Sequence, residues 1–256
     1  MSGIRLVTRA DDAGMNGSAN RAIRHSIREG IVRNVSLMAP APAIKGAFDL
    51  LGEMQSEIDF GLHVTLTAEW NNLRWGAVAG DSVSSLLLPD GTFPYDCDEL
   101  ASLAPDLDEM MAEVIAQYDL LADIGFQISY LDEHMVVGQV AGLHDRLAEF
   151  AEEHGLIYNR ALFENGAIAR LPGWNGPGEH PGTELADHLA GVAPGTYLIV
   201  GHPTGKDEEM QEMRLPDQAA GEAAVDRNRQ RRMFMDIEII DYCENVGIEL
   251  LRYSDV

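Results

Sequence analysis

Three observations predict an α/β fold in which parallel strands curl into a single, TIM-like (β/α) barrel of about seven strands. Apolar strand-like runs alternate with segments of helical spacing along most of the 256 residues. Such alternation joins parallel strands through right-handed helical crossovers. The length is that of one barrel, so a single domain over 1–256 is expected. Several of the apolar runs also end in Asp or His, and a parallel barrel collects its strand ends on one rim.

The run from Ile4 to Ala10 breaks at Asp11-Asp12-Ala13-Gly14 into a helical pattern over about Ser18 to Glu29. Val32 to Met38 reads as the next strand, followed by a helix near Ala43 to Glu53, and Ile58 to Thr67 as the third strand. A helix is predicted over Leu107 to Ile124, then a short strand, Ile128 to Leu131, leading into Asp132-Glu133-His134. Further along come a helix from about Val140 to His154, a strand at Leu156 to Ala161 and a compact strand at Tyr197 to Val200 that ends in Gly201-His202-Pro203. A long charged helix from about Asp217 to Asn245 precedes a closing strand, Ile248 to Tyr253. Two stretches fit this repeat badly. Residues 68–105, with Trp70 and Trp75, and the Gly/Pro-rich 170–194 around Trp174 are expected to be loop insertions at the binding surface, with disordered flaps as the alternative.

Composition removes several classes. A formal charge of −24, from 42 acidic against 18 basic side chains, would repel a phosphate backbone, so no nucleic acid and no membrane surface is expected as partner. Cys97 and Cys243 form no metal or disulfide pattern. Acids stand where a signal peptide would be apolar, and no run approaches the ~18 apolar residues of a membrane helix. A cytoplasmic location is the expectation. The loops could pack a homodimer as readily as cover a substrate. Gly201 to Asp207 is one residue short of a phosphate loop, and neither a nucleophile elbow, a dinucleotide fingerprint nor a zincin motif occurs.

What remains is the set of strand-end residues. Asp12, His63 and His134 offer one carboxylate and two imidazoles, a hydrolytic ligand set for Zn²⁺ also used by other transition metals. Asp11 is placed to take a proton from metal-bound water, and His202 to protonate a leaving group. Adjacent residues on a regular strand point to opposite faces, so Asp11 and Asp12 can share a cavity only if the strand breaks there, as Gly14 suggests. Each residue alone also has an ordinary reading, the Asp pair as a turn or cap and each histidine as a hydrogen-bonded strand residue.

In order along the chain, Val7-Thr8-Arg9-Ala10-Asp11-Asp12-Ala13-Gly14, Gly30 to Met38, Gly61-Leu62-His63-Val64-Thr65-Leu66, Tyr130-Leu131-Asp132-Glu133-His134 and Gly201-His202-Pro203 resemble the marks of the YdjC/ChbG-type carbohydrate deacetylases. The resemblance implies a (β/α) barrel with fewer than eight strands. It implies one divalent metal ion, Zn or Mg, on Asp12, His63 and His134, with Asp11 as base and His202 as acid. It also implies an arginine facing the site, matched to Arg160, and a small carbohydrate substrate carrying an N-acetyl group, for which Trp70 and Trp174 are candidate contacts. Ala13 stands where that family has phenylalanine, Arg9 where it has a small polar residue and Val136 where it often has histidine. A non-catalytic sugar-binding barrel and a metal-dependent esterase or phosphatase are the competing readings.

Overall fold

The computed structural model describes residues 3–216 and 218–256. Eight strands run parallel in one sheet: β1 (Ile4–Ala13), β2 (Asn34–Leu37), β3 (Asp59–Val64), β4 (Ile128–Glu133), β5 (Ile157–Tyr158), β6 (Ala169–Arg170), β7 (Gly195–Gly201) and β8 (Glu249–Leu251). Seven follow one path in the order β5-β4-β3-β2-β1-β7-β6. The outer strands β5 and β6 do not pair with each other among the described residues, so the sheet is a curled half-barrel that stays open.

The centre of the sheet is β1, buried at every position except Arg5. A strand covered on both faces is expected to read as a near-continuous apolar run, which explains Leu6, Val7 and Ala10 but not the charges that follow. One edge of β1 pairs with β7 from Ile4 to Ala10; the other is divided between β8, at Arg5 to Val7, and β2, at Arg9 to Ala13. Asn34 fills the fork. Its side-chain nitrogen donates to the carbonyls of Thr8 and Leu251, 3.0 Å each, and its oxygen accepts from the Tyr253 amide at 2.8 Å. Buried backbone groups left by the splayed strands are thereby satisfied.

Helix ends follow local chemistry. Asn16 accepts from the Ala19 amide to start Gly17–Arg28, and Asp106 accepts from Asp108 and Glu109 to start Leu107–Ile124, which Gly125 ends at φ 115°. The start of Gly17–Arg28 is held from outside as well: Glu209 accepts from the amides of Gly17 and Ser18, 2.8 Å each. A carboxylate at a helix N-terminus is favourable, and this one ties down the segment that follows His202.

Three expectations need correction. The strand expected at Leu156 to Ala161 is only β5, after which Asn159–Glu164 is helical and Arg160 pairs with Glu164 one turn on. The long helix expected to begin at Asp217, which lies outside the described residues, is two helices, Glu222–Met235 and Ile237–Val246. They part at Asp236, whose extended backbone breaks the ladder while its carboxylate stays on Arg232. The third concerns the alternative reading of 68–105 as a disordered flap. Trp70 and Trp75 are buried, a 3₁₀ turn (Gly80–Leu86) and a helix (Cys97–Ser102) form within it, and Glu113 accepts from the amides of Val78 and Ala79. Residues 170–194 include the helix Pro181–Ala190. Among the described residues no helix is long and apolar enough to cross a membrane.

Candidate active site

The rim of the sheet is built by a defect in β1. Arg9 and Asp11, two apart, share a face, and a regular strand would send Asp12 to the other. Instead the pairing with β2 slips between Ala10 and Ala13, and Asp12 adopts φ 67°. Aspartate tolerates this left-handed conformation better than most residues, and the slip brings both carboxylates to one side. Gly14, at φ 100°, completes the turn, where a Cβ would lie 2.9 Å from Ile44 Cδ1. His63 belongs to β3, and on the same strand a side chain at Gly61 would collide with the Tyr130 ring. His134 directly follows β4, and the next two residues, Met135 (φ 49°) and Val136 (φ 60°), are also left-handed. For a β-branched valine that is a strained state, of the kind that clusters at functional sites. His202 directly follows β7.

Asp12 Oδ1 lies 3.5 Å from His134 Nδ1 and 3.7 Å from His63 Nε2, and the two imidazole nitrogens are 3.3 Å apart. All three residues are buried. Their outer atoms are already engaged. His63 Nδ1 is 3.0 Å from Asp132, His134 Nε2 is 3.0 Å from Glu69, and Arg227 donates to Asp12 Oδ2 at 3.2 Å. Asp12 Oδ1 itself is buried with no hydrogen-bond partner among the described residues. A buried carboxylate oxygen is rarely left so, and with two imidazole nitrogens aimed beside it the residues fit a divalent cation. The outer contacts are those that orient metal ligands.

Asp11, His63 and Asp132 form a second cluster, but a guanidinium is already in it. Arg9 donates to both oxygens of Asp11, at 2.6 and 2.8 Å, and its Nη2 lies 3.0 Å from Asp132.

Protons compete with a cation for the same imidazole nitrogens. Burial works against a charged His134, yet Glu69 and Asp12 outweigh burial and push its pKa up to about 10. His63 rises for the same reason, through Asp132 and Asp11. Burial would raise Asp12, but His202, His134 and Arg227 hold it well below the usual carboxylate range. A raised imidazole stabilises the fold fully below its ordinary value near 6.5 and loses that contribution as pH climbs toward about 10. The chelated protein should therefore lose thermal stability between pH 7 and 9, and His134→Gln should lose less. Melting curves of the two proteins test this, and parallel pH dependence would refute it. Metal affinity should climb over the same interval, because the ligands must shed protons.

A family model for YdjC-like proteins matches residues 5–245. The chain belongs to the YdjC-like family. A carbohydrate deacetylase of Listeria monocytogenes serotype 4b (strain CLIP80459) is 28% identical over 162 residues, a match spanning 61% of this chain and 61% of that protein. Another carbohydrate deacetylase, from Thermoanaerobacter pseudethanolicus, is 22% identical over 271 aligned positions, covering 97% of this chain and 98% of the relative. Among solved structures, a candidate cellobiose-phosphate cleavage protein of Enterococcus faecalis V583 shares the fold, with a TM-score of 0.78, 19% identity and 98% of each chain covered.

In this YdjC-like protein Asp11, His63, His134 and His202 line one cavity of ≈ 570 Å³, with Asp12 buried directly behind. Trp174, in the 170–194 segment, lines it too and packs against His188. Trp70 does not: it is fully buried, and the Arg227 guanidinium lies 5.6 Å from its ring centre. Nor does Arg160 reach this cavity. It sits in the first turn of its helix, half-exposed and paired with Glu164, and borders a neighbouring cavity of ≈ 440 Å³. The inward guanidinium expected from Arg160 comes instead from Arg9, 6% exposed on β1.

Sequence reasoning missed Glu69 and Arg227. Glu69 lies in a loop immediately before Trp70, and Arg227 is one of several arginines on a charged helix, so neither carried a signal. Asp132 was given no role either, although it stands two residues before His134 and alternation puts the two on one side. Glu69→Gln should weaken metal binding by about 10–100-fold. Titration calorimetry measures this, and unchanged affinity would show that Glu69 does not orient His134.

Proposed function

We propose that this YdjC-like protein is a metal-dependent hydrolase that removes the acetyl group from N-acetylated amino sugars or their short oligomers in the cytoplasm. The observation that carries the reading is the unpartnered Asp12 Oδ1, buried against the facing nitrogens of His63 and His134 at the edge of an open cavity. Relatives named carbohydrate deacetylase support the substrate class.

A divalent ion held by Asp12, His63 and His134 would polarise the acyl oxygen and acidify a water. The remaining work belongs to the chain. Asp11 accepts the proton of the attacking water, and Arg9 fixes its carboxylate through two parallel hydrogen bonds. Each oxygen of Asp11 keeps a second lone pair for that proton. His202 delivers a proton to the departing amine. Its backbone amide donates to Gln230 Oε1 at 2.7 Å and its Nδ1 lies 2.9 Å from the same oxygen, which leaves Nε2 as the nitrogen for proton transfer. Burial and then Arg227 push His202 below its ordinary value while Asp12 and Asp11 pull it up, so the charged form that donates the proton depends on those two carboxylates. Trp174, Phe163 and Met135 offer apolar wall against which a sugar ring packs.

The test is acetate release from N-acetylglucosamine and di-N-acetylchitobiose by chelated protein, with and without Zn²⁺, Mg²⁺ or Mn²⁺. Activity should vanish on chelation and return with metal. Undiminished release after chelation, or none with any metal, would sink the reading, and model acetate and phosphate esters in the same assay separate amide from ester chemistry.

A further inference from the structure

Two groups of residues that could each surround a cation lie side by side at the strand ends. One is the Asp12, His63 and His134 position. The other is bounded by Asp11, His63 and Asp132, whose ligand atoms lie within 4.8 Å of one another and which are all buried. His63 belongs to both. We propose that Arg9 is the permanent cation of the second position: it keeps the protein a one-metal enzyme, and its removal opens a site for a second divalent ion. The inference rests on the metal reading given above.

The guanidinium makes the contacts an ion would make. Its Nε and Nη2 take both oxygens of Asp11, and Nη2 reaches Asp132 Oδ2, the oxygen that also meets His63 Nδ1. The group is pinned from behind. Nη1 donates to the Tyr253 hydroxyl at 3.1 Å, and that hydroxyl donates to Asn159 Oδ1 at 2.9 Å. Tyr253 is fully buried near the C-terminal end of the chain, so Arg9 is held by a distant segment and not by its own strand alone.

Charge points the same way. Four carboxylates meet in this core, Asp11, Asp12, Asp132 and Glu69, each no more than 6% exposed. Two guanidiniums face them, Arg9 on Asp11 and Asp132, and Arg227 on Asp12. The balance is two negative charges, which one divalent ion offsets. A second would leave an uncompensated positive excess in a buried region, a costly state. With Arg9 neutralised by mutation, the deficit grows and Asp11 and Asp132 lose their partner together.

Elemental analysis and calorimetric titration with Mn²⁺ or Zn²⁺ read the stoichiometry, and anomalous scattering locates the ions. Wild type should take up one ion, Arg9→Ser two with the second between Asp11 and Asp132, and Arg9→Lys one. Arg9→Gln, which removes the charge but keeps a donor, serves as an independent variant and should also take two. Two ions in wild type or in Arg9→Lys overturn the proposal, as does a single ion in folded Arg9→Ser or Arg9→Gln. Those results leave the deacetylase reading standing, whereas no ion in any of the proteins removes both.

Discussion

Asp11→Asn is expected to lower the turnover of acetate release by about 10²–10⁴-fold, the usual contribution of a positioned general base. Metal content should stay at the wild-type level, because Asp11 is not one of Asp12, His63 and His134, whose facing atoms meet at the open Asp12 oxygen. Asparagine keeps one acceptor for Arg9, which donates to both oxygens of the native carboxylate. The loss should fall on turnover more than on KM. Steady-state kinetics paired with elemental analysis reads both, and full turnover in this variant would exclude Asp11 as the base.

Asp12→Asn should fail differently. It removes the carboxylate that, among the described residues, faces both imidazoles, and affinity should drop by at least about 10²-fold, since even residues behind a metal ligand contribute 10–100-fold. Acetate release should fall with it and recover in part at high metal concentration. Asparagine is the right probe because it tolerates the left-handed backbone that position 12 adopts, at φ 67°. Alanine would mix the lost charge with backbone strain. His134 should titrate at lower pH in this variant, because Asp12 helps to hold its proton. NMR titration of the chelated protein measures that shift, and an unmoved His134 would mean that Glu69 alone controls it.

The sheet and the residues at its strand ends were legible because alternation of apolar runs with helical spacing is a long-range signal. Asp11, His134 and His202 each lie at or just past the end of such a run, and His63 lies within one. The helix Leu107–Ile124 was readable to the residue, since Asp106 and Gly125 mark both ends. Shorter elements were hidden. Two residues of β6 are too few for periodicity to register, the two of β5 read as a longer strand that runs on into the following helix, and the extended residue at Asp236 interrupts a helix without disturbing its charge pattern. Arg9 and Arg160 could not be ranked by type. Their roles are decided by whether the side chain leaves a strand inward or a helix outward, and a resemblance carried over residue by residue does not contain that difference. Trp70 looked like a sugar contact because aromatics in loops often are, but here it fills the interior beneath Arg227.

The one-residue slip in β1 bears on any attempt to move this chemistry elsewhere. Copying the Asp-Asp pair onto an unbroken strand of another barrel would aim one carboxylate at the surrounding helices, and the transplant would lose either its ligand or its base. A working graft has to carry the irregular ladder, Gly14 and the neighbouring β2 register along with the two acids.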